Sequence, residues 1–286
     1  MSPSEESIRI QRRKALLLLS TCTFTSISII GATCVGIANT EIYKSLVPDD
    51  ILPGCLSQDL VSLVAALLLP KVASRSMING SLRATSIWLG LTGYLMYAYG
   101  IYVFEAVVNM LYLVYIFIFG ICLWTIIFIM SSISYQRIHV IQKNIELPKK
   151  TLMTLFVALG ILFPALWIMQ LIPAMGARIP PPGISIMAMD LSFAIPSLWL
   201  CAWSIHKDMP ISIIVAPALS IKAGVLGSSV LLGCLLQPWF DRQIPWNEVP
   251  VYTLLGPVTL SIAWKMWLCF PRDSCVFEAV DSSKVK

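Results

Sequence analysis

The sequence predicts an all-α, polytopic transmembrane helical bundle of about eight spans with both termini cytoplasmic. Three observations predict it. Of the 286 residues, 57% are hydrophobic and 12% are charged, whereas soluble domains carry about 25% charged residues. Mean hydropathy is +0.81. Apolar runs of about span length recur between polar or Pro/Gly-rich stretches. Basic residues fall in alternate connections between those runs.

The runs lie at 15–38, 56–70, 86–104, 107–131, 152–173, 185–205, 211–236 and 250–270. The first is too long for a signal-peptide core and lacks a clear small-residue cleavage site, so it reads as a retained signal anchor. The second is the shortest, ending where Pro70 stands. The third and fourth are rich in aromatics. The seventh contains Pro217, Gly224, Gly227 and Gly233, which favour a kink and close helix packing. Residues 1–14 and 271–286 read as cytoplasmic tails around one transmembrane domain, 15–270. No internal repeat is visible.

Lys and Arg set the orientation. Fifteen of them (Arg9, Arg12, Arg13, Lys14, Lys71, Arg75, Arg83, Arg137, Lys143, Lys149, Lys150, Lys207, Arg272, Lys284 and Lys286) fall on one side, against Lys44, Arg178 and Arg242 on the other. Losing the short second span would scramble that division. The net charge of +5 is modest and does not suggest nucleic acid. The eight cysteines are scattered, with no C-x-x-C pair, and His139 and His206 lie in basic loops. No metal site and no cofactor is therefore expected. The chain has no G-x-S-x-G, P-loop, G-x-G-x-x-G or H-E-x-x-H motif.

Against this apolar background the embedded charges point to a site. Asp190 lies within Ile186–Trp203, a run long enough to span a bilayer. A carboxylate near the centre of such a helix costs roughly 2.5–3.5 kcal/mol, less near its end. Asp59 and Lys222 raise the same question. With the orientation above, sequence position becomes depth. Asp59, Glu105, Asn109, Gln170 and Asp190 then collect in the non-cytoplasmic leaflet, and Tyr99 and Tyr102 share that level. Interfacial polarity at helix ends is the plainer reading for Glu105. Lys222, at mid-span, is expected to pair with a carboxylate, Asp190 first and Asp59 second. That pair would fix helix packing, serve the chemistry, or both. Tyr97, Tyr99, Tyr102, Tyr112, Trp167 and Gln170 are expected to line an interior cavity. Aromatic faces there would stabilise a passing cation.

Four segments carry a resemblance to a known family. They are Gln58-Asp-Leu-Val-Ser-Leu63, Tyr94-Leu-Met-Tyr-Ala-Tyr-Gly-Ile-Tyr-Val-Phe104, Met189-Asp-Leu-Ser-Phe-Ala-Ile-Pro196 and Ala216-Pro-Ala-Leu-Ser-Ile-Lys222. From the second span onward the chain resembles the membrane-bound terpene cyclases of the ascofuranone and ascochlorin type, found in fungal meroterpenoid pathways. It also looks similar to related hydrolases that open polyketide epoxides. The resemblance implies acid-triggered opening of an epoxide on a hydrophobic prenyl or polyene substrate, followed by cyclisation, with no cofactor. It implies no catalytic set.

The site assignment rests on the charges: Asp190 and Asp59 as acid and base, with Lys222, Glu105 and Asn109 in support. The expected partners are the lipid bilayer and a hydrophobic small molecule arriving from it. The expected location is the endoplasmic reticulum membrane if the cell is eukaryotic. A membrane epoxide hydrolase and a small proton-coupled transporter are the competing readings, and an assembly protein without chemistry is a third.

Overall fold

A computed structural model describes residues 3–145, 147–270, 276 and 277, with side chains from residue 16 onward. The helices in chain order are α1 (Pro3–Ala38), α2 (Leu52–Asn79), α3 (Leu82–Phe104), α4 (Tyr112–Ser132), α5 (Tyr135–Gln142), α6 (Lys149–Ala177), α7 (Ile184–Met189), α8 (Ile195–His206), α9 (Ser212–Leu236), α10 (Val249–Thr253) and α11 (Thr259–Cys269). A π-helical segment, Asp190–Ala194, joins α7 to α8, and a second, Leu254–Val258, joins α10 to α11. The chain is a polytopic helical bundle.

Among the described residues, seven helical stretches are long and apolar enough to cross a membrane. The α10–α11 run, Val249 to Cys269, is an eighth continuous helical pass of lower hydropathy, since it carries Pro250, Pro257 and Lys265. Hydrogen bonds between the connections fix the alternation. At one end Asn109 donates to the Ile42 carbonyl (3.4 Å), the Gly183 amide donates to Glu105 (3.3 Å), and Gln237 donates to the Asp50 carbonyl (3.2 Å). At the other end Val276 donates to the Gly80 carbonyl, Ser134 donates to the Val276 carbonyl, and Lys149 pairs with Asp208. Successive connections thus appear at opposite ends, as eight passes require.

Several boundaries differ from the sequence reading. The second span is among the longest, because Pro70 sits inside α2 instead of ending it. A helix end needs a stop signal, and the one used is Gly80, left-handed at φ 60°. Ser81 then caps α3 through the Ala84 amide. The fourth span starts later than expected: a turn with Ala106 at φ 53° intervenes, and the Asn109 side chain accepts from the Leu111 amide (2.9 Å). Asn109 therefore belongs to the connection and not to a span. His139 lies in α5 and His206 ends α8, so neither is in a loop. The helix of the first pass begins at Pro3, ahead of residue 15. The side chains of the N-terminal basic cluster, and Arg272, Lys284 and Lys286, lie outside the described residues.

Helices α3 and α9 form the centre. In the apolar stretch of α3, 67% of residues are buried, against 22% in α4 and α6. Helix α9 packs on α2, α3 and the α10–α11 pass. Small residues permit the close approach. A Cβ on Gly227 would stand 2.5 Å from the Gly256 amide nitrogen, and one on Gly90 would stand 2.8 Å from the Ala218 carbonyl. The outer helices instead expose large apolar side chains such as Leu113, Trp124 and Met169, as a lipid-facing surface does.

Candidate functional site

Among the described residues, two adjoining cavities lie beside the embedded polar groups of the bundle. The inner one, about 190 Å³, is bounded by Tyr97 of α3, Phe163 and Trp167 of α6, Asp190, Lys222 of α9 and Tyr252 of α10. The outer one, about 610 Å³, has a polar rim that includes Asp50, Gln58, Glu105, Arg242 and Glu248. Ile101, Ile186, Leu226 and Val230 line both, so the outer cavity adjoins the inner one as a vestibule and these four residues form the neck between them.

Asp190 opens the first π-helical segment. Pro196 has no amide hydrogen for the Ser192 carbonyl, and its ring crowds the preceding turn. The helix widens there, and the Ile195 amide donates to the Asp190 carbonyl five residues back. Such widenings recur at functional sites. This one turns the half-buried Asp190 side chain toward the inner cavity. Its Oδ1 accepts from the Tyr97 hydroxyl (2.7 Å) and its Oδ2 from Trp167 Nε1 (2.9 Å). The second π-helical segment contributes Leu255 to the same wall, just after Tyr252.

Lys222 does not form the expected ion pair. Among the described residues no carboxylate lies within ion-pair distance of its ammonium. Nζ sits 4.0 Å from the centre of the Tyr97 ring instead. Tyr97 therefore stands between the two charges: its face meets the ammonium and its hydroxyl meets Asp190. Gly93 leaves room for the lysine stem, since a Cβ there would sit 3.6 Å from Lys222 Cγ.

Asp59 lies elsewhere. It is 2% exposed on α2 and accepts from the Tyr43 hydroxyl (2.8 Å). Tyr43 stacks on Tyr102 at 5.5 Å, and Tyr102 meets Tyr115 at 4.9 Å. Burial, then the Asp59 charge, pushes the Tyr43 hydroxyl far above the ordinary phenol range, so it stays a donor. Gly36 of α1 supplies the space: a Cβ there would stand 2.0 Å from Asp59 Oδ2. Asp59 lines neither cavity. The expected sharing of one substrate by Asp190 and Asp59 is therefore corrected. The two carboxylates occupy separate packing environments because α2 turns Asp59 toward α1, while Asp190 faces α3 and α6.

The supporting residues also sort themselves. Glu105 accepts from the Gly183 amide and the Ser185 amide (3.1 Å), capping α7 from the end of α3 and holding one side of the vestibule. Asn109 bonds the Tyr115 hydroxyl (3.3 Å) beside the Asp59 cluster. Of the expected cavity residues, Tyr97 and Trp167 line the inner cavity and Tyr102 the vestibule. Three do not: Gln170 is exposed on α6, Tyr112 donates to the Val103 carbonyl, and Tyr99 is sealed among Tyr102 and Tyr115. Sequence reasoning missed Phe163, Tyr252 and the neck. The available signal for the bend was Pro196, six residues after Asp190.

No group of three or more His, Cys, Asp or Glu side chains among the described residues is arranged to hold a metal ion. Compared with protein-family models, with curated proteins and with solved structures, the chain matches none.

Proposed function

We propose that the inner cavity opens an epoxide on the apolar tail of a prenyl or polyene substrate by proton transfer and closes a ring. The observation that carries this reading is one carboxylate, Asp190, held by two donors in an aromatic-walled apolar cavity. Protonated Asp190 gives its proton to the epoxide oxygen while the carbon–oxygen bond breaks at the more substituted carbon. Tyr97, Trp167 and the nearby Lys222 ammonium stabilise the carboxylate left behind. The faces of Tyr97, Phe163, Trp167 and Tyr252 stabilise the carbocation. An alkene or hydroxyl of the same molecule attacks it. The product then returns one proton to Asp190. The atoms of the substrate are only rearranged, so no co-reactant is needed.

The apolar walls keep water from the carbocation. The vestibule suits the entry of the same substrate toward the inner cavity. In a eukaryotic cell the endoplasmic reticulum is the membrane we propose. The test is expression in microsomes with epoxidised prenyl-phenols and analysis of the products. A ring isomeric with the substrate is the expected result. A diol would make the protein an epoxide hydrolase using the same acid, and unchanged substrate across a panel of such compounds would remove the chemistry and leave a carrier as the leading reading.

A further inference from the structure

We propose that Lys222 makes the inner cavity a binding site for a hydrophobic ligand bearing one anionic group, a carboxylate or an ionised acidic hydroxyl. The inference rests on the reading of this cavity as the substrate site and names the substrate class. Lys222 and Asp190 are the two charged side chains lining the cavity, and the rest of the wall is predominantly apolar and aromatic. The ammonium has no carboxylate within ion-pair distance among the described residues. Its closest partner is the face of Tyr97, an incomplete replacement for a full negative charge, and the Asp190 carboxylate acts on it from beyond ion-pair distance. Asp190 turns both oxygens to other donors, the Tyr97 hydroxyl and the Trp167 indole.

The acid step sharpens the mismatch. When Asp190 carries the proton it will donate, the ammonium is left as the single charge in the cavity. A buried cation without an anion is unfavourable, and a ligand that supplies the anion is selected for that reason. Position also matters. Lys222 sits on the central helix α9, four residues before Leu226 of the neck. Gly93 opposite gives its stem room. A ligand anion seated on Nζ lies beside Tyr97, with the apolar body against Phe163, Trp167 and Tyr252. The anion has two sources, a membrane fatty acid or an isoprenoid acid, and both present the same chemistry to Lys222.

The test compares farnesoic acid with methyl farnesoate and farnesol on the purified full-length protein in nanodiscs at neutral pH, where the acid is ionised. Calorimetric titration is expected to give the acid at least about tenfold tighter binding than the ester or the alcohol. Lys222→Arg is expected to keep that preference and Lys222→Met to lose it. Palmitic acid serves as a further arm. Binding like farnesoic acid assigns the anion to a membrane lipid, whereas weaker binding assigns it to an isoprenoid, and either upholds the anion site. Equal binding of acid, ester and alcohol to the wild-type protein overturns it, as does a preference for the acid that survives in Lys222→Met. The wild-type comparison stands alone should Lys222→Met fail to fold. An acid preference retained in a protein that turns over no epoxide would sink the cyclisation reading alone. Turnover without an acid preference would sink the anion site alone.

Discussion

Asp190 and Asp59 are both carboxylates inside apolar helices, and each accepts a hydrogen bond from a tyrosine hydroxyl. Their surroundings differ. Asp190 borders a cavity that adjoins a polar vestibule, while Asp59 is sealed by Gly36, Tyr43 and the tyrosine cluster behind them. The comparison teaches that an expensive buried charge is not by itself a site. Asp59 accepts from Tyr43 and so holds the Thr40–Tyr43 turn against α2, beside the wall of the vestibule that Val47, Pro48, Asp50 and Ile51 form. Asp190 faces the inner cavity instead.

The largest expected effect comes from closing the passage between the two cavities. Leu226→Trp fills the neck, and turnover of long epoxidised substrates should fall by about 10²-fold or more, the scale of a misplaced substrate. Product analysis with thermal stability measured alongside checks it. Unchanged turnover would mean that substrate reaches Asp190 directly from the lipid. Trp167→Phe removes one of the two donors to Asp190 and keeps the aromatic face. It should lower turnover about tenfold, the weight of one charge-assisted hydrogen bond.

On the Asp59 side the readout is stability. Gly36→Val forces a side chain into the carboxylate and should cost on the order of 1–3 kcal/mol, measured as a lower unfolding temperature in detergent, with turnover per folded molecule nearly intact. A loss of turnover without a loss of stability would move Asp59 into the chemistry. The smallest effect belongs to Gln170→Ala. Its side chain is exposed on α6, so both stability and turnover should stay within the scatter of wild type, and a clear drop in either would show that α6 packs differently.

Much of the fold was legible because it follows from the bilayer. Span length, apolarity and the division of basic residues mark the passes, and Asp190, Asp59 and Lys222 stand out against so few charges. Side-chain direction was not legible. Depth along a helix can be counted, but rotation about its axis is set by neighbours, which is why Asp59 and Asp190 share a level without sharing a cavity. Lys222 illustrates the same limit: burial demands compensation, and the Tyr97 face supplies part of it where an ion pair was expected. Pro70 shows that a proline inside an apolar span does not end it when a stronger stop, Gly80, follows. Tyr252 and Phe163 read as ordinary span aromatics, because only the assembled bundle brings them to one cavity.

The central claim is that Asp190 acts on substrate and Asp59 acts on the fold. The most direct measurement is the turnover of Asp190→Asn and Asp59→Asn side by side, per folded molecule, on one epoxidised prenyl-phenol that the wild-type protein converts. Asn keeps the shape and an acceptor oxygen while removing the titrating proton. The expected result is a loss of about 10²-fold or more for Asp190→Asn, the scale of one general acid, and a change of no more than about threefold for Asp59→Asn, which still accepts from Tyr43. Equal losses in the two variants, or near-normal turnover in Asp190→Asn, would contradict the account.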